Sequence, residues 1–262
     1  MPVAIKYKNN QDFDKMRESC AITASVLDHI SNFVKPGIST EEIDKICSDF
    51  IKNKKAGASP LTKGFPKSVC TSRNHVVCHG VPSEKDILEE GDILNIDVST
   101  YFNGFHGDTS ETFAVGKISR KARELLKITY EALWTGIHSI KLGGYTGDIG
   151  YAISNFVEPK GYSIVMEYTG HGIGENIHED PFILHKCEKG SGKKIAPGMA
   201  FTIEPMINIG TNALETLDDG WTVITKDKKL SAQWEHTIAI FDDHMEVFTA
   251  RDSKSEQRII TF

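Results

Sequence analysis

The chain has 262 residues, of which 39 % are hydrophobic and 25 % charged, and a formal net charge of −6. These values are typical of a globular protein with a substantial core, and the net negative charge argues against a nucleic-acid scaffold. The sequence has no long apolar stretch of the kind found in signal peptides or membrane spans, and its five cysteines include no CxxC pair. We therefore expect a cytoplasmic protein that requires neither nucleic acid nor a membrane.

Four helices are predicted, and short strands are predicted for most of the remaining chain. Apolar residues recur at helical spacing over residues 11–34, 40–55, 120–141 and 147–158. Ser39 and Glu42 have the spacing of a capping box at the start of the second helix. Two helices followed by strands occur twice, and this order favours an α+β fold over alternating βαβ units.

An internal repeat relates the two parts of the chain. Residues 34–51 align with residues 140–157, and residues 91–97 align with residues 198–204 at nearly the same offset. Each copy has a glycine turn before a helix that starts at threonine, and later a short strand that ends on a carboxylate. We predict one catalytic domain over residues 1–262, built from two similar halves at about 5–116 and 119–250.

The strand around residues 93–99 alternates in polarity, and the Asn103-Gly104 dipeptide after it is a strong hairpin signal. If this dipeptide forms the loop, Ser99 faces Asp108 and Asp97 faces Ser110. The carboxylates of Asp97 and Asp108 then lie on one face of the hairpin as diagonal neighbours, roughly 7 Å apart at the backbone. Two converging carboxylates either share a proton or bind a metal ion.

The second half adds three further candidate ligands. Glu204 ends a short alternating strand, Glu235 lies within another, and His171 lies between glycines that allow close approach to a ligand. Each residue taken alone is more often a turn or packing residue. Taken together across a twofold repeat, they predict a carboxylate-rich site with enough charge for two divalent ions, formed by Asp97, Asp108, His171, Glu204 and Glu235.

The motifs around these residues, at 95–97, 104–109, 170–174, 201–206 and 233–237, resemble those of type I methionine aminopeptidases over roughly residues 5–250. The resemblance implies the pita-bread fold, an α+β fold with two pseudo-symmetric halves whose helices pack on a curved, mainly antiparallel sheet. It also implies that Asp108 and Glu204 contact different metal ions, whereas Asp97 and Glu235 bridge the ions or bind as bidentate ligands.

The resemblance further implies a mechanism. Two divalent ions (Co, Mn, Fe or Zn) about 3.5 Å apart would activate a water molecule to attack the Met–Xaa peptide bond. Glu204 would take and return the proton, His178 would stabilise the oxyanion, and His79 would contact the substrate near the scissile amide. The family also holds a monovalent cation through backbone carbonyls, and the matching positions here are Asn74, Val76 and Ser231.

The methionine pocket implied by the resemblance departs from the family pattern. Its positions correspond here to Ser59, Thr62, Phe65, Cys70, Ile177 and Trp221. Thr62 and Ile177 stand where the family usually has aromatic rings. We therefore expect a wider pocket that still prefers methionine but discriminates less strongly against leucine, norleucine or phenylalanine.

Two alternative functions remain to be distinguished from methionine aminopeptidase activity. Prolidases and proline aminopeptidases share the five ligands, but they carry a large N-terminal domain that we do not expect in this protein. A relative that only binds peptides would have lost ligands, whereas all five are present. We expect the removal of initiator methionine from nascent polypeptides with a small second residue, by a monomeric enzyme that associates transiently with the ribosome.

Overall fold

The structure is a computed structural model that describes residues 5–262. The α+β prediction is confirmed, and the four predicted helices are present with ends that fall one to four residues before the predicted ones. A short additional helix precedes the second strand. The helices are α1 (Asn10–Ile30), α2 (Thr40–Asn53), α3 (Ser59–Thr62), α4 (Arg120–His138) and α5 (Thr146–Val157). None of the helices within residues 5–262 is long and apolar enough to cross a membrane.

The predicted capping box fixes the start of α2. The backbone N–H of Glu42 donates to Ser39 Oγ at 3.2 Å, and the Ser39 N–H donates to Glu42 Oε2 at 3.1 Å. The start of α5 is similar, because the Tyr145 N–H donates to Asp148 Oδ2 at 2.9 Å. Each bond satisfies a backbone N–H that has no partner within the helix. Both helices that open on the repeated threonine therefore begin where the sequence pattern placed them.

Within residues 5–262 the strands form four sheets, and every strand pair there is antiparallel. The largest sheet has the strand order β16-β15-β14-β9-β7-β8. A second sheet joins β1, β4, β2 and β5, and two three-stranded sheets follow the orders β13-β10-β6 and β11-β12-β3. The bounds are β1 (Gly57–Ala58), β2 (Cys70–Arg73), β3 (Val76–Cys78), β4 (Ile93–Phe102), β5 (Phe105–Ala114), β6 (Ser163–Ile164), β7 (Gly170–Gly172), β8 (Glu179–Ile183), β9 (Ala200–Ile203), β10 (Met206–Asn208), β11 (Leu214–Thr216), β12 (Val223–Thr225), β13 (Ser231–Gln233), β14 (His236–Ile240), β15 (His244–Val247) and β16 (Ile259–Thr261).

Two main apolar cores lie under the helices. In the first core, Leu27 of α1 and Ile43 of α2 are buried with Leu94 and Ile96 of β4. The second core lies beneath α4 and α5 and brings Leu125, Ile149, Phe201 and Ile238 together, along with other apolar side chains. Burial of these side chains holds the helices on the sheets, since each fully buried Leu, Ile or Phe contributes about 1.5–3 kcal/mol.

The hairpin of β4 and β5 has the predicted register. Phe102 pairs with Phe105, and the intervening Asn103 and Gly104 have φ angles of 49° and 89°. Positive φ at both loop positions is the requirement of a type I′ turn, which explains the strength of the Asn-Gly signal. The predicted cross-strand pairs Ser99–Asp108 and Asp97–Ser110 are both confirmed.

Backbone contacts bring this hairpin against the strands of the second half. Ser110 of β5 forms an isolated antiparallel bridge with Glu235, which lies between β13 and β14. Thr109 Oγ1 donates to the Glu235 carbonyl at 2.6 Å, and Thr112 Oγ1 donates to the Gln233 carbonyl at 2.7 Å. The two halves therefore meet where the predicted ligands of each half lie.

Candidate active site

The first two carboxylates come from the hairpin of the first half. Asp97 lies on β4 and Asp108 on β5, where Ser99 Oγ donates to Asp108 Oδ1 at 2.8 Å. The Asp108 N–H and carbonyl are both bonded to the Thr237 hydroxyl of β14, at 3.3 and 2.7 Å. These contacts fix the backbone and one oxygen of Asp108, and leave Oδ2 to face the second half.

The other three predicted ligands come from the second half. His171 lies on β7, Glu204 follows β9 directly, and Glu235 lies between β13 and β14. Thr202 Oγ1 donates to Glu204 Oε1 at 2.9 Å, and Gln233 Nε2 donates to Glu204 Oε2 at 3.2 Å. Both oxygens of the Glu204 carboxylate therefore accept hydrogen bonds that orient the side chain. The donors, Thr202 and Gln233, each lie two residues before a predicted ligand.

The five side chains converge in one cavity of about 490 Å³. His171 Nε2 lies 3.8 Å from Asp108 Oδ2 and 3.6 Å from Glu204 Oε1. One ligand atom each from Asp108, His171 and Glu235 lies within 4.8 Å of the others. Asp97 lines the same cavity. The structure thus brings together all five residues that the sequence pattern selected.

The electrostatics of the cluster favour bound cations. Burial raises the pKa of Asp97 to about 7. Burial, followed by repulsion from neighbouring carboxylates, raises the pKa values of Asp108, Glu204 and Glu235 well above their ordinary range. Among residues 5–262, no lysine or arginine forms an ion pair with any of the four. Four carboxylates, of which Asp108 and Glu235 are buried and Asp97 and Glu204 partly buried, match the charge of two divalent ions when no protein cation neutralises them.

The imidazole of His171 is prepared for metal ligation. Burial first, and then the neighbouring His178, lower the pKa of His171 to about 3, so that the ring is neutral near pH 7. Its Nδ1 lies 3.1 Å from the Gly172 carbonyl, which accepts a hydrogen bond from an N–H at that position. The Nε2 lone pair then faces Asp108 and Glu204, an arrangement usual for histidine ligands. The donor set therefore fits divalent metal ions.

The two other predicted catalytic histidines line the same cavity. The His178 ring lies edge-on to the His171 ring with centroids 4.4 Å apart, and the His79 ring lies 5.3 Å from the Tyr168 ring. Burial lowers the pKa values of both His79 and His178; the proximity of the His178 ring lowers that of His79 further, and the charge of Lys63 lowers that of His178. Both rings are consequently neutral near pH 7, and each can offer one N–H as a hydrogen-bond donor.

The residues predicted to form the methionine pocket fall into two groups. Phe65, Cys70, Ile177 and Trp221 line the cavity, and the rings of Phe65 and Trp221 pack edge to face at 5.3 Å. Ser59 and Thr62 do not line it, although Pro60 and Lys63 from the same segment do. Ser59 is buried with its Oγ 2.8 Å from His106 Nδ1, and Thr62 Oγ1 donates to the Ser59 carbonyl at 2.7 Å.

The positions predicted for a monovalent cation lie close to one another. The Ser231 N–H donates to the Asn74 carbonyl at 2.8 Å, and Val76 begins β3 two residues after Asn74. Asn74 itself has a φ of 55° and is held by a hydrogen bond from its Nδ2 to Asp92 Oδ1. The Ser231 hydroxyl is buried without a hydrogen-bond partner within residues 5–262.

Two further residues at the site are not indicated by any sequence motif. His185 is buried beside Glu204, and its Nε2 accepts the Glu204 backbone N–H at 3.1 Å. Phe182 lines the cavity mouth on β8 and is 65 % exposed. The alternation of Phe182 with the buried Ile183 could have placed Phe182 on the open face of a strand, whereas nothing near His185 in the sequence predicts its contact.

Comparisons with known proteins agree with this geometry. The metallopeptidase family M24 model matches residues 14–242. Methionine aminopeptidase from Escherichia coli (strain K12) is 46 % identical over 261 residues, which cover 99 % of each chain. Methionine aminopeptidase A from Synechocystis is 48 % identical over 242 residues, covering 92 % of this chain and 96 % of the relative.

Solved structures of other proteins are also similar to this chain. The crystal structure of methionine aminopeptidase from Rickettsia prowazekii has a TM-score of 0.92 at 46 % identity, covering 94 % of this chain and 100 % of that one. Prolidase from Pyrococcus furiosus has a TM-score of 0.75 at 22 % identity, covering 94 % of this chain and 65 % of the prolidase. The second comparison supports the fold alone.

Proposed function

Since the chain belongs to metallopeptidase family M24, and to the methionine aminopeptidases within it, we propose which of its side chains carry out the reaction. The protein is a metallo-aminopeptidase, a hydrolase that removes the initiator methionine from polypeptides whose second residue is small. The observation that supports the assignment of the site is the convergence of four carboxylates, two of them fully buried, and a neutral imidazole in one cavity.

The proposed metal ligands are Asp97, Asp108, His171, Glu204 and Glu235. Divalent ions bound there would supply Lewis acidity and would lower the pKa of water at the site. Carboxylate oxygens with one imidazole suit Mn, Fe, Co or Zn, and we propose two such ions per chain. Repulsion among the four carboxylates supports this number, because two divalent ions would balance all four charges, whereas one ion would leave two carboxyl groups to be neutralised by protons.

The protein's own groups handle the proton and the developing charge. Glu204 takes a proton from the attacking water and returns it to the leaving amine, with its orientation held by Thr202 and Gln233. Neutral His178 donates an N–H to the oxygen of the scissile carbonyl as negative charge develops on it. His79, whose backbone is held at a φ of 53°, contacts the substrate beside the scissile amide.

The methionine side chain is proposed to bind against Phe65, Cys70, Ile177 and Trp221. Ile177 is smaller than the aromatic ring that the family usually has at this position, and it leaves space that such a ring would fill. Ser59 and Thr62 are proposed to shape the pocket from behind, because their hydrogen bonds fix α3 and therefore the position of Pro60. Methionine is preferred by this pocket, with weaker rejection of leucine, norleucine and phenylalanine than in relatives with the full set of rings.

The remaining assignments follow from the family and from the placement of the residues. We propose that backbone carbonyls near Asn74, Val76 and Ser231 hold a monovalent cation. The N-termini of nascent polypeptides are the substrates, encountered by a monomeric cytoplasmic enzyme that associates transiently with the ribosome. The contact between Ser231 and Asn74 supports the cation site, since it brings these backbone segments to one place.

Metal-dependent release of methionine from a Met-Ala-Ser peptide tests the proposal. We expect release with Mn²⁺ or Co²⁺, loss of release after treatment with EDTA, and recovery when the ion is restored. An Ala-Pro dipeptide serves as the control substrate, because a prolidase-like enzyme would cleave it. Cleavage of Ala-Pro in preference to Met-Ala-Ser, or release of methionine that persists after complete metal removal, would overturn the proposal.

A further inference from the structure

An exposed aromatic residue stands beside the ligand cluster. Phe182 of β8 pairs directly with His171 of β7 in the antiparallel register. Side chains of such a pair lie on one face of a sheet with Cβ atoms about 4.5–5.5 Å apart. The Phe182 ring therefore neighbours the His171 imidazole, yet it is 65 % exposed at the cavity mouth. Within residues 5–262 no aromatic ring stacks on Phe182, and most of its surface is open to solvent.

We propose that Phe182 is a specificity-determining residue that contacts the third residue of the polypeptide substrate and favours an apolar or aromatic side chain there. This inference rests on the proposed function, since it assumes that the scissile bond lies at the cluster. The group that covers the Phe182 ring is thus the part of the substrate chain that extends out of the cavity.

The position of the ring selects the third residue. The first residue occupies the pocket near Ile177 and Trp221, and the scissile bond lies at the cluster beside His171. An extended chain advances about 3.3 Å per residue, so the second residue spans most of the distance between the imidazole and the ring. The third residue is then level with Phe182, where its side chain can cover the exposed ring face.

The neighbouring groups at the mouth favour contact with the ring. Lys63 and Glu167 are the exposed charged side chains of the cavity lining within residues 5–262, and their charges are opposite. They therefore give the mouth no net preference for one sign of charge. The exposed face of the Phe182 ring is apolar, and covering it removes apolar surface from water.

The location of the contact determines whether it changes KM or kcat. Phe182 lies outside the reacting atoms, so its contact with the third residue is the same in the ground state and in the transition state. Such uniform binding lowers KM and leaves kcat little changed. Partial burial of one ring against one apolar side chain is expected to raise kcat/KM by about three- to tenfold.

Leu184 supplies a matched control. It lies two residues beyond Phe182, just after the end of β8, and is 45 % exposed, but it does not line the cavity. The Leu184→Ala variant therefore removes a comparable exposed apolar side chain from the same segment. We expect this variant to retain the third-residue preference and the activity of the unchanged protein.

The test measures kcat and KM for Met-Ala-Ser-, Met-Ala-Leu- and Met-Ala-Phe-containing tetrapeptides with the metal-loaded enzyme and with Phe182→Ala, Phe182→Gln and Leu184→Ala. We expect the unchanged enzyme to prefer Leu and Phe over Ser at the third position by about three- to tenfold, through KM. Both Phe182 variants should lose this ratio, and the Leu184 variant should keep it.

Three results would overturn the inference while leaving the proposed function intact. The first is methionine release without any third-residue preference in the unchanged enzyme, and the second is a preference that survives in both Phe182 variants. A preference lost equally in Leu184→Ala would also overturn it, because a general disturbance of β8 would then explain the change. Failure of the unchanged enzyme to release methionine from all three peptides would instead overturn the proposed function.

Discussion

A buried ion pair ties the N-terminal segment to the loop that carries His178. Lys8 Nζ lies 2.7 Å from Glu179 Oε2, and the two side chains are only 5 % and 4 % exposed. The Asn176 N–H donates to the other carboxylate oxygen at 3.1 Å. Glu179 follows His178 directly, so we expect Lys8→Met to destabilise the protein and to disturb the placement of His178.

The expected magnitude is large because Lys8→Met removes the nearest cation from a buried carboxylate and leaves only Lys6, whose half-exposed Nζ lies 3.9 Å from Glu179 Oε1. Breaking a buried pair on one side costs about 3–5 kcal/mol, a large fraction of the 5–15 kcal/mol by which domains are typically stable. The double variant Lys8→Met/Glu179→Gln removes both charges, and we expect it to recover about 2 kcal/mol of that loss. The kcat of Lys8→Met should fall on the order of tenfold, since small misplacements of catalytic groups are costly.

The pH dependence of this effect follows from the carboxylate. Burial raises the pKa of Glu179, but the hydrogen bonds from Lys8 and from the Asn176 amide outweigh it and leave the pKa below its ordinary value of 4.5. Burial lowers the pKa of Lys8 from 10.5 despite the nearby carboxylate, so the two partners differ in how well their charges are stabilised. At acidic pH Lys8 stays protonated, so Glu179 is the partner whose charge changes.

A depressed folded-state pKa means that the stabilisation is present above pH 4.5 and is lost as the pH falls through the folded-state pKa. The difference in unfolding free energy between the unchanged protein and Lys8→Met should therefore be largest near pH 7 and shrink below pH 4.5. Urea unfolding followed by circular dichroism at several pH values measures this difference.

Lys6→Met is the matched control. Lys6 is 47 % exposed on its side chain and lies 3.3 Å from the exposed Glu175 and 3.9 Å from Glu179 Oε1. Because its charge is in contact with solvent, we expect its removal to cost at most about 1 kcal/mol. If Lys8→Met costs no more than Lys6→Met, or if the double variant is no more stable than Lys8→Met alone, the assignment of Lys8 as the partner that holds Glu179 is wrong.

Three further predictions concern the site itself. His79→Ala and His178→Ala should keep their metal content by mass spectrometry while kcat falls on the order of 10²-fold, and a loss of metal binding alone would refute their assigned roles. Ile177→Phe should sharpen discrimination between Met-Ala-Ser and Leu-Ala-Ser by about 1–3 kcal/mol, whereas an unchanged ratio would show that the pocket is already filled. His185→Leu should lower the unfolding free energy by about 1–3 kcal/mol, because the Glu204 N–H loses its acceptor. Partial recovery in His185→Gln is expected, and equal stability of the two variants would argue against that contact.

Local signals were sufficient to predict one side of the site from the sequence. The Asn103-Gly104 dipeptide specifies a two-residue turn, and both residues adopt the positive φ that this turn requires. The turn sets the register of β4 and β5, and the register places Asp97 and Asp108 on one face. The capping box of α2 was predictable for the same reason, since Ser39 and Glu42 are separated by only three residues.

Contacts between distant segments could not be predicted in this way. The bridge between Ser110 and Glu235 joins residues far apart in the chain, and only the packing of the halves determines it. His185 shows the same limit, because its contact with Glu204 depends on how β8 folds back on β9. The resemblance could assign Ser59 to the pocket, but its hydrogen bond to His106 depends on the three-dimensional placement of α3.

The stoichiometry of divalent metal binding, measured together with methionine release, tests the two-metal site most directly. Titration of the metal-free enzyme with Mn²⁺ by calorimetry should show two ions per chain, and activity on Met-Ala-Ser should rise with their binding. Asp97→Ala and Glu235→Ala should each bind fewer ions and lose turnover, since both carboxylates belong to the cluster. Near-normal activity in either variant, or binding of no divalent ion by the unchanged enzyme, would contradict the assignment of this cavity as a two-metal active site.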